Sequence, residues 1–414
     1  MSKFNILVVP SDNMGGVGFY RSTQPHIQLE KQFPDDFSVT IDMKPNFLDL
    51  ESFKKYSLIH IHKGLFAQNI MPAFKEFLRF CKENGIVTVM DIDDYWELHM
   101  HHPMFTSQRY NGNDKAIREN LRLFDYVTTT TQFFANEIKK YNQNVCVLPN
   151  AIDPNDSRFA VNKKESKFLR VGLIMGSTHE YDLKLIGDIS SLPSDVADKV
   201  QFVLCGYDLR GTIREYNKET GEVKERKIEP RESVWYRYEK QVTNDYKIVS
   251  PEYRMFLEQF IPNLQYPNAD NERYKRCWTK DMNHYYEHFS EIDVLLAPLE
   301  ITPFNKVKSQ LKVIEAAFSN CAIIASDFGP YTIDLKPAIL KGGVIDEDGN
   351  AILIDEAKNH KDWKKAIIRL ANDPALVKQL QTNLSRDICP KYNLTTVTEQ
   401  RAEFYKKIIE DKKK

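Results

Sequence analysis

Short β-branched runs alternate along the chain with longer stretches whose apolar residues recur at helical spacing. ILVVP (6–10) reads as a buried strand and leads into a loop carrying Gly15, Gly16 and Gly18. SLIHIH (57–62) is a second strand, and MPAFKEFLRFCKENG keeps helical spacing up to Gly85, a residue suited to end a helix. IVTVMDID (86–93) is a strand ending in carboxylates. NLRLFDYVTTTT supplies a helix end and a strand, TQFFANEIKKYN a helix, and NVCVLPNAID a strand with a sharp exit at Pro149-Asn150. The pattern then restarts. RVGLIMGST (170–178), VQFVLCGYD (200–208), EIDVLLAPLE (291–300) and NCAIIASDFGP read as strands, with YDLKLIGDISSL and KSQLKVIEAAF as helices between them. The stretch 356–412 is helical and ends in the charged EDKKK. Strand–helix alternation at this spacing builds βαβ units around parallel sheets.

The expected fold is therefore α/β, with two Rossmann-like halves facing a cleft and a polar break, DPNDSRFAVNKKESK, near 153–168. The expected domains are 1–160, 161–395 and a C-terminal helix, 396–414, packing back on the first domain. An interruption of about 209–283 lies between the strands of the second half. It holds NKETGEV, which suits a hairpin turn, and reads either as a solvated decoration or as a lid or partner surface.

Length and charge narrow the class. The 414 residues suit two or three domains. Lys plus Arg number 57 against 58 Asp plus Glu, which argues against nucleic acid as a main partner. No apolar run approaches the ~18–20 residues of a membrane span, and the apolar stretch in MSKFNILVVPSD is too short for a signal peptide. The six cysteines form no CxxC pair, and Cys146, Cys205 and Cys321 sit in apolar runs. They read as small buried hydrophobes in a reducing compartment rather than as disulfides or zinc ligands. A cytoplasmic protein without a cofactor or metal is expected.

Ligands of parallel sheets sit beyond the carboxyl ends of the strands, which directs attention to five turns: Asp12–Arg21, His60–Gly64, Asp91–Trp96, Gly176–Asp182 and Glu300–Glu315. SDNMGGVGFYR is not GxGxxG and reads as a flexible loop toward a cleft. Pro25 suggests a helix beginning near Thr23 or Gln24, which leaves Arg21 just outside it, as an anion contact or a surface charge. In MDIDDYWELHMHHP, Asp91, Asp93, Asp94, His99, His101 and His102 are metal-capable, but the histidines lack an i, i+4 pair. Asp91 and Asp93 share one strand face and Asp94 turns away, so the segment reads as an acceptor-facing wall or a loop cap. His60 and His62 share a strand face, as core histidines or with one reaching the cleft.

Gly176, Ser177 and Thr178 follow a strand and precede a helix, as a phosphate turn, an ordinary N-cap, or both. Ser309 is placed to cap the helix QLKVIEAAF. Where a capping box would put Glu or Gln, the sequence has Lys312, and Lys308 adds a second charge against the macrodipole. Two such departures at one helix start suggest a bound anion, with the lysines slightly destabilising the free protein. The competing reading is a solvated pair of lysines with Glu315 as an i, i+3 partner.

With these segments in view, FDYVTTTTQFFANEIKKYNQNVCVLPNAID, VGLIMGSTHEYDL and DVLLAPLEITPFNKVKSQLKVIEAAFSNCAIIASDFGPY resemble retaining, nucleotide-sugar-dependent glycosyltransferases of the GT-B fold. The type is family 4-like, of bacterial polysaccharide and glycoconjugate synthesis. The resemblance implies transfer of a sugar from a nucleoside-diphosphate sugar to a glycan, lipid-linked or other acceptor, with retention. It implies that Glu315, the second of two family glutamates eight residues apart, holds the donor ribose. The first of these positions is Val307 here, and Glu300 is the substitute at the strand end. The family's Arg and Lys in the second-domain turn are replaced by Thr178, His179 and Glu180. Donor binding thus falls to Gly176, Ser177, Thr178, His179, Glu300, Lys308, Ser309, Lys312 and Glu315. Lys308, Lys312 and Asp93 are the catalytic candidates, with the lysines neutralising the leaving diphosphate in place of a metal. The acceptor side comprises Gly15, Gly16, Arg21, Asp91 and Asp94, and peripheral contact with a membrane stays open. Two alternatives remain: a non-catalytic nucleotide- or glycan-binding module, and a sugar-nucleotide epimerase using Asp91, Asp93 and Glu315 as acid and base.

Overall fold

The computed structural model describes residues 3–12, 15–63, 71–216, 220–243, 269–355 and 360–413. The β-branched runs become strands because both of their faces are covered, which favours unbroken apolar sequence over alternation. In the first half these are β1 (Phe4–Val9), β2 (Phe37–Ile41), β3 (Leu58–His62), β4 (Val87–Asp91), β5 (Tyr126–Thr129) and β6 (Val145–Val147). All pair in parallel, in the order β2-β1-β3-β4-β5-β6. The second half starts with β7 (Leu169–Ile174) and β8 (Val200–Tyr207). An antiparallel hairpin follows, β9 (Thr212–Tyr216) with β10 (Val223–Lys227), and it brackets NKETGEV. β11 (Tyr274–Trp278), β12 (Val294–Ala297), β13 (Ala322–Ser326) and β14 (Ile352–Ile354) complete a second parallel sheet, in the order β11-β8-β7-β12-β13-β14.

Three elements depart from the sequence reading. The interruption at 209–283 is shorter than expected, because β11 lies within it and pairs with β8. Its sequence YKRCW looks like surface, yet Lys275 and Arg276 are buried and neutralised by Glu291 and Glu239 at 2.5 and 2.6 Å. Much of the rest of that interruption, 217–219 and 244–268, lies outside the described residues, as does Gly64 of the expected His60–Gly64 turn. The helix read from YDLKLIGDISSL is one turn, Glu180–Lys184, stopped before Gly187, whose φ is 66°. The edge strands β2 and β14 gave no sequence signal, being five and three residues long.

Each sheet is packed on both faces. On one face of the first sheet, Ile59, Met90 and Val127 meet Phe74, Phe77, Trp96 and Phe134. On the other, Ile6, Val8 and Val89 meet Tyr405, Ile408 and Ile409 of the C-terminal helix Leu394–Lys413. The chain therefore returns from the second sheet to cover the first. The crossing is fixed at the linker, where Ile152 N–H donates to the Tyr392 carbonyl at 3.0 Å and Leu394 N–H to the Ile152 carbonyl at 2.9 Å.

The glycine-rich segment after β1 is not the expected flexible loop. Asp12 Oδ1 and Oδ2 accept from the N–H groups of Gly15 (2.6 Å) and Gly18 (3.1 Å) and start a helical run. That run is Gly16–Gly18, a π turn Phe19–Thr23, and the helix Gln24–Gln32. A Cβ at Gly18 would lie 2.3 Å from the Asp12 carbonyl oxygen, so only glycine fits. The helix begins at Gln24 with Pro25 in its first turn, as expected, but the run extends further upstream, and the turn before it, which lacks a proline N–H to bond, is widened. Arg21 is consequently part of the turn and points inward. It is 1% exposed and Asp91 is 0% exposed. Its Nε and Nη2 donate to Asp91 Oδ1 and Oδ2 at 3.0 and 2.7 Å, and its Nη1 to the Leu148 carbonyl at 2.7 Å. Thr128 Oγ1 donates to Asp91 Oδ2 at 2.6 Å. Arg21 and Asp91, expected on the acceptor side, thus spend their hydrogen bonds on each other inside the first half.

Burial by itself would push the Asp91 carboxyl up, but the Arg21 guanidinium outweighs it and holds Asp91 below the usual range. The pair's contribution is then present above an ordinary aspartate pKa of about 3.9 and lost as pH falls toward the depressed value. Asp91→Asn should destabilise the protein by roughly 3–5 kcal/mol at neutral pH, since it strands a buried guanidinium. In urea titrations it should also flatten the acid limb of stability below about pH 4. Equal stability of variant and wild type at pH 7 would show that the pair does not hold the fold.

Candidate functional site

All strands of a parallel sheet point the same way, and a crevice opens where chain order reverses between neighbours. In the first sheet this occurs between β1 and β3, and in the second between β7 and β12. The loops leaving these strands meet at one cavity of about 510 Å³. The first half contributes Gly15, Gly16, Tyr20, Arg21, Asp93 and Asp94; the second contributes His179, Tyr285, Lys308, Ser309 and Glu315. A neighbouring cavity of about 530 Å³ shares His179, Lys280 and Tyr285 with it and extends past Gly176 and Ser177 to Trp235 of the interruption. A third, of about 400 Å³, adjoins it through His179, Asp94 and Lys308, and is lined by Thr178, Glu300 and His102.

Glu315 lies on the helix Leu311–Phe318 and is 1% exposed. Its Oε2 accepts from Lys312 Nζ at 3.1 Å, while Oε1 is buried with no hydrogen-bond partner among the described residues. Burial raises the Glu315 pKa, against the pull of Lys312. The Tyr20 hydroxyl, reaching across from the first half, is likewise buried and unpartnered, and burial with the Glu315 charge pushes its pKa up. The Tyr20 hydroxyl and the Glu315 carboxylate, one from each half, thus come together at this site.

Lys312 is not the dipole-opposing charge expected from the sequence. It donates to the Tyr285 hydroxyl at 2.7 Å as well as to Glu315, and its side chain is 26% exposed. The i, i+3 pair with Glu315 is thus present, half-buried rather than solvated, and Lys312 also lines the 530 Å³ cavity. Lys308 differs. Its Nζ stands 5.0 Å from the Phe304 ring centroid and pairs with no carboxylate among the described residues. Ser309 does not cap the helix; Gln310 occupies that place, and Ser309 Oγ accepts from Asn150 Nδ2 at 3.3 Å, across the two halves. Val307 is buried with Phe134 and Trp96 of the first half, and its carbonyl accepts from Thr131 Oγ1 at 3.3 Å.

The turn after β7 also differs from expectation. The N-cap of its one-turn helix is His179, not Ser177 or Thr178, and the first turn already holds Glu180 and Asp182. Those acidic residues occupy the positive helix end that a phosphate was expected to use. Gly176, Ser177 and Thr178 remain exposed, and a Cβ at Gly176 would touch nothing within 4 Å. Asp182 is the organising residue here. Its Oδ1 accepts from Glu300 N–H (2.7 Å) and Asn305 Nδ2 (2.9 Å), and its Oδ2 lies 2.7 Å from His179 Nδ1. Burial alone would raise Asp182, but His179 and these bonds hold it low, while burial and Lys308 lower His179. Glu300 keeps one buried carboxylate oxygen, Oε2, without a partner among the described residues.

On the opposite wall, β4 ends at Asp91, so strand alternation stops there and Asp93 and Asp94 both reach the cavity. Asp94 was expected to turn away. His62 bridges Ser11 Oγ (2.7 Å) and Asp93 Oδ1 (3.2 Å), and Lys63 lies within 3.4 Å of Asp93 and 3.2 Å of Asp94. Burial would raise Asp93; Lys63 and His62 hold it well below the usual range. His60 is a core residue against the Tyr405 hydroxyl at 3.1 Å. The carboxylates and imidazoles of 91–102 do not converge as a metal cluster among the described residues. His101 instead stacks on Tyr181 at 4.3 Å between ring centroids.

Sequence reasoning missed Asp182, Asn150, Tyr20 and Tyr285 as site residues. Asn150 carried a faint signal, in the Pro-Asn exit from β6. The tyrosines carried none, since an aromatic residue reads as core until its hydroxyl is placed.

No protein-family model and no curated protein matches the sequence. Solved structures do match its whole fold. Sucrose-phosphate synthase from Thermosynechococcus elongatus is 12% identical with a TM-score of 0.59, over 99% of this chain and 100% of that one. Anabaena Alr3699/HepE in complex with UDP and glucose is 11% identical with a TM-score of 0.54, over 98% and 100%. The catalytic domain of starch synthase IV from Arabidopsis thaliana, bound to ADP and acarbose, is 10% identical with a TM-score of 0.54, over 99% and 100%. Likeness at this identity is one of fold: the chain has the GT-B architecture, two Rossmann-like domains facing a cleft, with a C-terminal helix crossing back.

Proposed function

We propose that this chain is a nucleotide-sugar-dependent glycosyltransferase, moving a hexosyl group to a glycan, lipid-linked or other acceptor with retention and without a metal at the leaving group. The observation that carries this reading is the joint opening of both sheet crevices onto one cavity, where Glu315 and Lys308, the latter without a carboxylate partner among the described residues, stand. Both adjoining cavities fall within the ~300–1,000 Å³ usual for small-molecule sites. Structures of the same fold have been solved with UDP and ADP, which supports a nucleoside diphosphate here.

Glu315 Oε1 accepts from a ribose hydroxyl, and the buried position makes that bond count, because an orphaned acceptor costs about 1–3 kcal/mol. The base extends into the 530 Å³ cavity toward Trp235. Lys308 and His179 face the diphosphate, and Lys308 stabilises the charge that grows on it as the glycosidic bond breaks. Lys312 acts indirectly, fixing the Glu315 carboxylate and the Tyr285 hydroxyl. Glu300 Oε2 faces the sugar. Asp93 and Asp94, held by His62 and Lys63, receive the acceptor hydroxyls, with Gly15 and Gly16 beside them. The described residues include no helix long and apolar enough to cross a membrane.

A panel of radiolabelled nucleotide sugars tests the class. Acceptor-dependent release of nucleoside diphosphate is expected, unchanged by EDTA relative to magnesium or manganese. An altered sugar still attached to its nucleotide would make the protein an epimerase, and binding without turnover a binding module. Glu315→Ala should weaken nucleotide binding at least tenfold by calorimetry, the equivalent of about 1.5–3 kcal/mol at the charged-group rate. Unchanged affinity would remove Glu315 from the ribose. Lys308→Met should leave the stability of the free protein unchanged while nucleoside diphosphate binding falls by ~1–3 kcal/mol and binding of the bare nucleoside holds. Lys312→Met should instead destabilise the free protein by about 1–3 kcal/mol, since it abandons a buried carboxylate. Equal effects of the two substitutions would erase the distinction drawn between these lysines.

A further inference from the structure

The second sheet holds a cluster that the proposed reaction does not use. Cys205 on β8 and Cys277 on β11 are register partners on adjacent parallel strands, so their thiols stand side by side. His288, on the 3-10 turn Tyr285–Glu291, packs over them. All three are buried, and one ligand atom from each lies within 4.8 Å of the other two. We propose that Cys205, Cys277 and His288 form a binding site for one soft divalent cation of the zinc class.

The cysteines alone would pass as small core residues, as the sequence suggests. The histidine does not. Its Nδ1 is buried with no hydrogen-bond partner among the described residues, a state that protein interiors rarely leave unexplained. A tetrahedral zinc with sulfur at about 2.3 Å and nitrogen at about 2.0–2.1 Å sets its ligand atoms roughly 3.5–3.8 Å apart, within reach of small side-chain rotations. Two thiolates balance a divalent charge, so the filled site is neutral, as an apolar interior requires. A thiol ligates as its thiolate, so cation binding releases protons. His288 also lines the 530 Å³ cavity, which gives the cation a path in and lets solvent supply a fourth ligand.

The same 3-10 turn carries Tyr285, which receives Lys312. A cation here would pin that turn to the sheet and so hold the Tyr285–Lys312–Glu315 group. The role is structural and separate from sugar transfer, and its test does not depend on activity.

The full-length protein, stripped with a chelator, is titrated with cobalt(II) chloride. One equivalent should bind, with the thiolate-to-cobalt charge-transfer absorption and d–d bands of a tetrahedral site. Zinc should displace it and release protons. His288→Gln, Cys205→Ser and Cys277→Ser should each weaken binding more than tenfold, whereas Cys389→Ser, at a half-buried cysteine outside the cluster, should leave it unchanged. Zinc should also raise the Tm of the wild type but not of His288→Gln, with circular dichroism confirming that the variant is folded. Absence of the charge-transfer band, binding indifferent to His288→Gln, or a disulfide between Cys205 and Cys277 in the isolated protein would each overturn the site. Retained cobalt binding without any sugar transfer would leave this site standing and count only against the transferase reading.

Discussion

The buried pair of Arg21 and Asp91 is the constraint on which the cleft depends. An ionised guanidinium in a protein interior is tolerable only when it is paired and hydrogen-bonded. Arg21 meets this by gathering Asp91 at the end of β4, the Leu148 carbonyl beyond β6 and Asn150 Oδ1 at 3.2 Å. The π turn and the Asp12-capped glycines are what deliver it there. Asn150 then passes the connection to Ser309, so the loop ahead of the Glu315 helix is registered against the first half. Val307 adds an apolar plug at the same junction. The two halves therefore meet through specific contacts placed beside the cavity.

Within the cavity, charge is divided unequally between two lysines only four residues apart. Lys312 is absorbed into a pair with Glu315 and Tyr285, which rigidifies a buried carboxylate facing Tyr20. Lys308 stands over Phe304 and meets no carboxylate among the described residues. One lysine therefore builds the site and the other faces it. Asp182 performs a comparable structural task, tying the turn after β7 to the turn after β12 through the Glu300 N–H and Asn305 Nδ2. Residues that look functional by composition often serve here as supports for the cavity wall.

Much of the fold was legible because two parallel sheets with both faces covered demand unbroken apolar strands, and these stand out between amphipathic helices. β2 and β14 were not legible, being short edge strands, and β11 was hidden because its buried Lys275 and Arg276 look like surface until Glu291 and Glu239 are placed against them. The site was partly legible for the same topological reason. Parallel strands bring their carboxyl ends together, so the loops carrying Gly15, Asp93, His179, Lys308 and Glu315 could be expected to share the one cavity they line.

What the sequence by itself determined was this layout: two α/β halves, the turns that face each other, and the residue types carried on them. Tertiary structure decided which of those residues remain free to act. Periodicity reports which face a side chain takes but not what stands opposite it. Arg21 and Asp91 read as cleft residues and are each other's partners; Lys308 and Lys312 read alike and differ in whether a carboxylate lies within reach; Cys205, Cys277 and His288 are separated by up to 83 positions and become neighbours only when β11 pairs with β8. Hydrogen bonding and charge neutralisation depend on distances across elements, and those distances are set by packing rather than by local sequence.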